Sequence, residues 1–216
     1  GNQVWRTDRK ETSNWTTPLV WRNERRTEIV TAATGGIRSN DGNGTLLWEL
    51  SGMSTFDVPS PIAANGLLYV MSGYPANALR PAYAIRAGAS GDISLKADET
   101  SNAFIVWADR TLGTFHPSPL VYRGCFYVLH DRGFLTCSDA ATGKPRWQGA
   151  EGGGGYSSPH LARIDGVPQV VLLRGSRTIS VAPADGAPLW EYVSQPAVSI
   201  LQPAFLGVQE QEGAEG

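Results

Sequence analysis

Residues 139–147 read DAATGKPRW, and the same setting returns as NDGNGTLLW at 40–48 and PADGAPLW at 183–190. A tryptophan closes each stretch, and it belongs to a longer series of Trp5, Trp48, Trp107, Trp147 and Trp190, with gaps of 43, 59, 40 and 43 residues. Four residues before each stands Gly1, Gly44, Ala103, Gly143 or Gly186, and five before the last four stand Asn43, Asn102, Thr142 and Asp185. A small polar side chain followed by glycine suits a tight turn in which the second residue takes a positive φ or packs closely. Self-similarity at this period is that of a propeller blade.

A second series keeps the same time. Pro18, Pro61, Pro119, Pro159 and Pro203, spaced 43, 58, 40 and 44 residues apart, each open an apolar stretch: TPLVW, SPIAA, SPLVY, SPHLA and QPAFL. Between each Pro and the following Trp lie short runs rich in Val, Ile, Leu and Tyr, punctuated by Gly and Asp. These read as consecutive antiparallel strands joined by hairpins. Arg123-Gly124 and Asp131-Arg132-Gly133 are the expected turns of the third repeat.

Four strands per repeat make a propeller blade. The expected fold is therefore all-β, an arc of four-stranded antiparallel blades within a larger, about eight-bladed propeller. The chain is read as a single unit over residues 1–216. Blades fall near 18–50, 60–108, 118–148 and 158–192, with partial strands at 1–10 and 203–209. GNQVW at 1–5 looks like the end of a repeat, which places the natural amino terminus upstream. Tryptophans at equivalent places should wedge neighbouring sheets together, and an open arc should expose blade faces to missing blades or to another copy.

Composition agrees. The 25 Gly and 14 Pro in 216 residues point to many turns, and no stretch sustains a helical period. A net charge of −2 and a pI near 5.9 give no global attraction to nucleic acid or anionic lipid. The cluster Arg22, Arg25, Arg26 is interrupted by Glu24 and Glu28 and reads as a solvated edge. No apolar run approaches the roughly 18 residues that span a bilayer.

The second repeat carries extra residues around 73–101, expected as a lengthened loop or hairpin on one rim, where propellers place recognition, or as a plain spacer. Asp139 stands eight residues before its Trp as a turn cap, with Asn40, Glu99 and Ala182 in the other repeats.

These stretches, each followed by a Pro-led strand, resemble the pyrroloquinoline quinone (PQQ) repeat. That repeat builds quinoprotein alcohol dehydrogenases and the PQQ-like propellers related to the outer-membrane assembly lipoprotein of Gram-negative bacteria. The resemblance implies the fold firmly and leaves the activity open. Quinoprotein dehydrogenases hold PQQ between a Trp and a disulfide of adjacent cysteines, beside Ca²⁺ on oxygen ligands, with an Asp as base. No adjacent pair exists here.

Cys125 and Cys137 fall on neighbouring strands of one hairpin, where register decides between diagonal neighbours and a bridge. His116, His130 and His160 are 14 and 30 residues apart, without zinc-site spacing. GGGG at 152–155 lacks the helix a phosphate loop needs and reads as a blade-to-blade connection. No catalytic residue, metal site or cofactor is therefore expected, and PQQ and calcium enter only under the dehydrogenase reading.

The working surface should lie at the channel mouth, on the loops just before each Pro: NWTTP, FDVPSP, TFHPSP, GYSSP and ILQP. They offer Trp15, Phe56, Asp57, Phe115, His116, Tyr156 and Gln202, a mixture of aromatic faces and polar tips suited to a peptide, a sugar or a cofactor. The functional expectation is a noncatalytic scaffold at the periplasm or cell envelope, binding a protein, peptide or carbohydrate. Two alternatives stand beside it: part of a PQQ-dependent alcohol dehydrogenase, and the sensor propeller of a larger protein.

Overall fold

The computed structural model describes residues 1–149, 153–193 and 195. The repeat becomes four antiparallel sheets of consecutive strands. The first holds β1 (Leu19–Arg22), β2 (Thr27–Ala33), β3 (Gly36–Asn40) and β4 (Leu46–Ser51). β5 (Ile62–Ala64), β6 (Leu67–Met71) and β7 (Ala82–Arg86) form the second with β9 (Ile105–Asp109), while β8 (Gly91–Asp92) leaves it to join the first. Third come β10 (Leu120–Tyr122), β11 (Cys125–Leu129), β12 (Leu135–Asp139) and β13 (Pro145–Gly149). The last sheet is β14 (His160–Ile164), β15 (Val167–Arg174), β16 (Arg177–Val181) and β17 (Pro188–Val193).

The chain divides into two compact units, one over Gly1–Phe115 and one from His116 onward. In the first, Trp21, Val30, Ile37, Trp48 and Leu50 pack with Leu68, Val70, Ile85 and Ile105 in one buried core. Within the second, Tyr127, Leu129, Leu135 and Cys137 share a core with Val170, Leu172, Ile179 and Val181. Both follow from period-2 alternation, since the buried residues of adjacent strands lie on one face.

The repeat is geometric as well as sequential. Trp48, Trp107, Trp147 and Trp190 pair with Ser39, Ala84, Cys137 and Ser180, and in every sheet the register shifts immediately after that partner. A bulge at a fixed place re-aims the side chain opposite it.

The ring then rests on the turn of the next repeat. A Cβ on Gly44 would lie 2.7 Å from the Trp5 ring, and one on Gly186 would lie 2.6 Å from Trp147. Both glycines also take positive φ, +87° and +74°, so the glycine four places before Trp48 is the seat of Trp5 and the one four places before Trp190 is the seat of Trp147. Gly186→Ala should destabilise the chain by about 2 kcal/mol, combining left-handed strain with displacement of the indole. A urea midpoint unchanged from the parent would contradict this seating.

Each indole also needs a partner for its N–H. In the first sheet Glu28 Oε2 accepts from Trp48 Nε1 at 2.7 Å and from Ser39 Oγ at 2.6 Å. The carboxylate's other oxygen accepts from Asn23 Nδ2 at 3.0 Å and Arg26 Nε at 3.1 Å. Glu28 is fully buried, so it is a core acceptor and not part of a solvated charged edge. Gln169 plays the same part in the fourth sheet, accepting from Ser180 Oγ and from Trp190 Nε1 at 2.7 Å.

Register identifies the equivalent pair in the third sheet as Cys125 and Cys137, and these are joined in a disulfide with Cα atoms 5.8 Å apart. The bridge occupies the place of the acceptor. Trp147 Nε1 is accordingly buried without a hydrogen-bond partner among the described residues. The second sheet fills the same diagonal with Leu67 and Ala84.

The expectation for the amino-terminal residues needs correction. Residues 1–10 form no strand, although Trp5 still donates from Nε1 to Gly42 O at 3.0 Å. GNQVW offers little apolar alternation, Val4 is exposed, and no described strand lies beside it to complete a ladder. The expected strand at 203–209 lies outside the described residues.

The extra residues of the second repeat do not form a simple rim loop. β8 pairs in parallel with β4, Ile93 donates its N–H to Glu49 O at 2.9 Å, and Ala89 and Ile93 enter the first core. The insertion thus covers the edge of the neighbouring sheet, a place where unpaired backbone would otherwise invite association.

Candidate functional site

Within each unit, the loops before the first strands of its two sheets are laced to one another. Thr17 N–H donates to Ser60 Oγ at 3.0 Å, and Ser118 N–H donates to Ser158 Oγ at 2.8 Å. The Ser-Pro signature therefore supplies a strand start and a hydroxyl that holds the preceding loop. A further bond joins Trp15 N–H to Asp57 O at 2.8 Å.

In the first unit this lacing sets aromatic rings in a row. Trp15 and Phe56 have centroids 6.3 Å apart, Phe56 and Tyr74 5.1 Å, and Tyr74 and Phe115 5.1 Å, the last two edge to face. Trp15 is 61% exposed and Phe56 37% exposed. Tyr74 is the member that sequence reasoning missed. It comes from the β6–β7 connection, and a close backbone crossing carries it to Phe115: a Cβ on Gly113 would lie 2.1 Å from Ser72 O.

Phe56 takes a left-handed φ of 54°, a strained conformation for a bulky residue. Its N–H donates to Thr34 Oγ1 at 3.0 Å, while Asn77 Oδ1 accepts from the hydroxyls of Ser54 and Thr55, each at 2.7 Å. These bonds over-determine the turn. Asp57 follows, 1% exposed, with neither carboxylate oxygen hydrogen-bonded among the described residues. Burial alone pushes its pKa up to about 8.

In the second unit His116 stacks on Tyr156 with centroids 3.8 Å apart, and its Nδ1 lies 3.0 Å from Asp131 Oδ1. Asp131 was legible only as a turn residue. Gly154 lies against Asp131, where a Cβ would meet its carbonyl oxygen at 2.5 Å, so the glycine-rich connection is used for close approach. Of the remaining expected site residues, Gln202 lies outside the described residues. Asp139 caps its turn, accepting from Thr142 N at 2.9 Å and from Arg146 Nη2 at 2.6 Å. The Arg146 guanidinium, then the Thr142 hydroxyl, hold its pKa below the usual value. Gly143 takes a φ of 71° at the end of that turn.

Among the described residues no group of three or more His, Cys, Asp or Glu is placed to hold a metal ion. The chain's two cysteines are twelve residues apart and bridged within one hairpin, so they do not form the adjacent-cysteine wall that PQQ uses.

Four-stranded antiparallel sheets of consecutive strands, with a tryptophan at the same place opposite the same bulge in each, are the blades of a β-propeller. Residues 87–200, more than half of the chain, match the family of the outer membrane protein assembly factor BamB. The chain belongs to that family of PQQ-like repeat propellers. BamB from Moraxella catarrhalis is similar in structure, with a TM-score of 0.57 at 17% identity over 89% of this chain and 52% of that one. The quinohemoprotein alcohol dehydrogenase ADHIIG from Pseudomonas putida HK5 gives 0.59 at 16% identity, over 89% and 36%. That of Comamonas testosteroni gives 0.56 at 14%, over 86% and 36%. The chain thus spans about half, or less, of the length of these structures. No curated protein matches it by sequence.

Proposed function

We infer that the chain is a noncatalytic propeller scaffold that binds a protein partner at the bacterial cell envelope. The observation that carries this reading is the laced row Trp15, Phe56, Tyr74 and Phe115, with its exposed ring faces, on the loops where a propeller presents its binding surface. Aromatic anchors of this kind dominate protein interfaces. Membership of the BamB family supports a protein as the partner. An envelope location is supported by the same membership and by the Cys125–Cys137 bridge, since disulfides persist in oxidising compartments. No observation favours the dehydrogenase reading over this one.

Photo-crosslinking from position 15, with a benzoylphenylalanine in place of Trp15 in the full-length protein exported to the periplasm, tests the reading. A single envelope protein should be captured, and capture should fail when Phe56→Ala is added. Labelling that is indifferent to Phe56, or confined to the cytosol, would reject it.

A further inference from the structure

We propose that Asp57 and the aromatic row form a receptor for one cationic side chain, arginine or lysine, presented by an extended segment of the partner protein. This rests on the protein-binding reading above and names the chemistry that the row recognises.

The carboxylate is the first reason. A buried acid without a hydrogen-bond donor is an expensive feature. Elsewhere in the first unit a buried carboxylate is fully served: Glu28 receives four donors, including the guanidinium of Arg26. Asp57 receives none among the described residues, and burial is what raises its pKa, with no charged side chain among them acting on it. A cation brought from outside would supply what is missing. A neutral hydroxyl would supply a hydrogen bond without favouring the ionised carboxylate, which a cation does.

The rings are the second. Aromatic faces attract ammonium and guanidinium groups, more strongly when water is excluded. Phe56 precedes Asp57 in the chain, and Trp15 is bonded through its N–H to the Asp57 carbonyl, so the row and the carboxylate share one loop structure. The third reason is Phe56 itself. Its left-handed backbone is kept in place by the Thr34 and Asn77 contacts, and strain that the surroundings over-determine clusters at ligand clamps. Phe56 is partly exposed, so a cation can reach it from solvent.

Calorimetric or NMR titration of the full chain with acetyl-Gly-Ser-Arg-Ser-Gly-amide, and with the same peptide carrying citrulline, decides the matter. Citrulline keeps the shape of arginine and removes its charge. The arginine peptide should bind at least about tenfold tighter, a difference of about 1.4 kcal/mol, and Asp57→Asn should abolish the preference. Trp15→Ala should weaken the arginine peptide several-fold. Equal binding of both peptides, a preference that survives Asp57→Asn, or binding of chitotetraose with no arginine preference would each overturn the proposal.

The two readings fail separately. If crosslinking from position 15 persists in Asp57→Asn and the peptides bind alike, the chain binds protein without reading a cation. If the arginine preference is present and no envelope protein is captured, the cation site stands and the partner reading falls.

Discussion

Replacing both cysteines by serine, Cys125→Ser with Cys137→Ser, should lower the stability of the chain by about 3 kcal/mol, the loop-closure entropy expected for a bridge of this span. Equilibrium unfolding in urea with and without reductant is the measurement. Reductant should shift the parent and leave the serine variant unmoved. The repeat adds a sharper test. Cys125 and Cys137 stand where the fourth sheet has Gln169 and Ser180, whose hydrogen bonds satisfy Trp190. Cys125→Gln with Cys137→Ser should therefore recover about 1–2 kcal/mol relative to the double serine variant, because Trp147 Nε1 gains the acceptor it lacks. If the glutamine variant is no better than the serine one, the equivalence of the two sheets is not energetic.

That equivalence shows where sequence reading stops. The tryptophan series was legible because a blade imposes a fixed period, and the glycine four places earlier was legible because a positive φ and an overlying indole leave no room for Cβ. The partners of the indole were not. Glu28, Leu67, Cys125 and Gln169 share no chemistry, and only strand register, fixed by a bulge that leaves no composition signal, aligns them. Glu28 looked like one charge among several for the same reason.

The site divides in a similar way. Trp15, Phe56 and Phe115 could be found because they lie three to five residues before a Pro that starts a strand. Tyr74 lies in an irregular insertion and reaches the row through the Gly73–Gly113 crossing, a contact between residues forty apart. The insertion's role as an edge cover was hidden as well, since Gly91–Asp92 has no strand propensity and pairs only because β4 is beside it.

Asp57 makes the chain lose stability as pH rises. Its carboxyl has an ordinary value of 3.8 and is pushed up to about 8 by burial. Between those values the folded chain keeps a proton that the unfolded chain has released. Stability from this group is therefore complete below about pH 4 and is lost progressively as pH climbs through about 8, at a rate bounded by about 1.4 kcal/mol per pH unit. From pH 5 to pH 8 the loss should reach about 3–4 kcal/mol. Asp57→Asn, which mimics the neutral acid, should match the parent only below about pH 4, and its advantage over the parent should grow by about 3–4 kcal/mol between pH 5 and pH 8. The difference between parent and variant isolates Asp57 from every other titrating group, and thermal unfolding at the two pH values measures it. A variant that is equally less stable at both would mean that the carboxylate is solvated or paired in the folded chain. The arginine peptide should also restore the parent at pH 8, since a bound cation favours the ionised acid, and it should do nothing for Asp57→Asn.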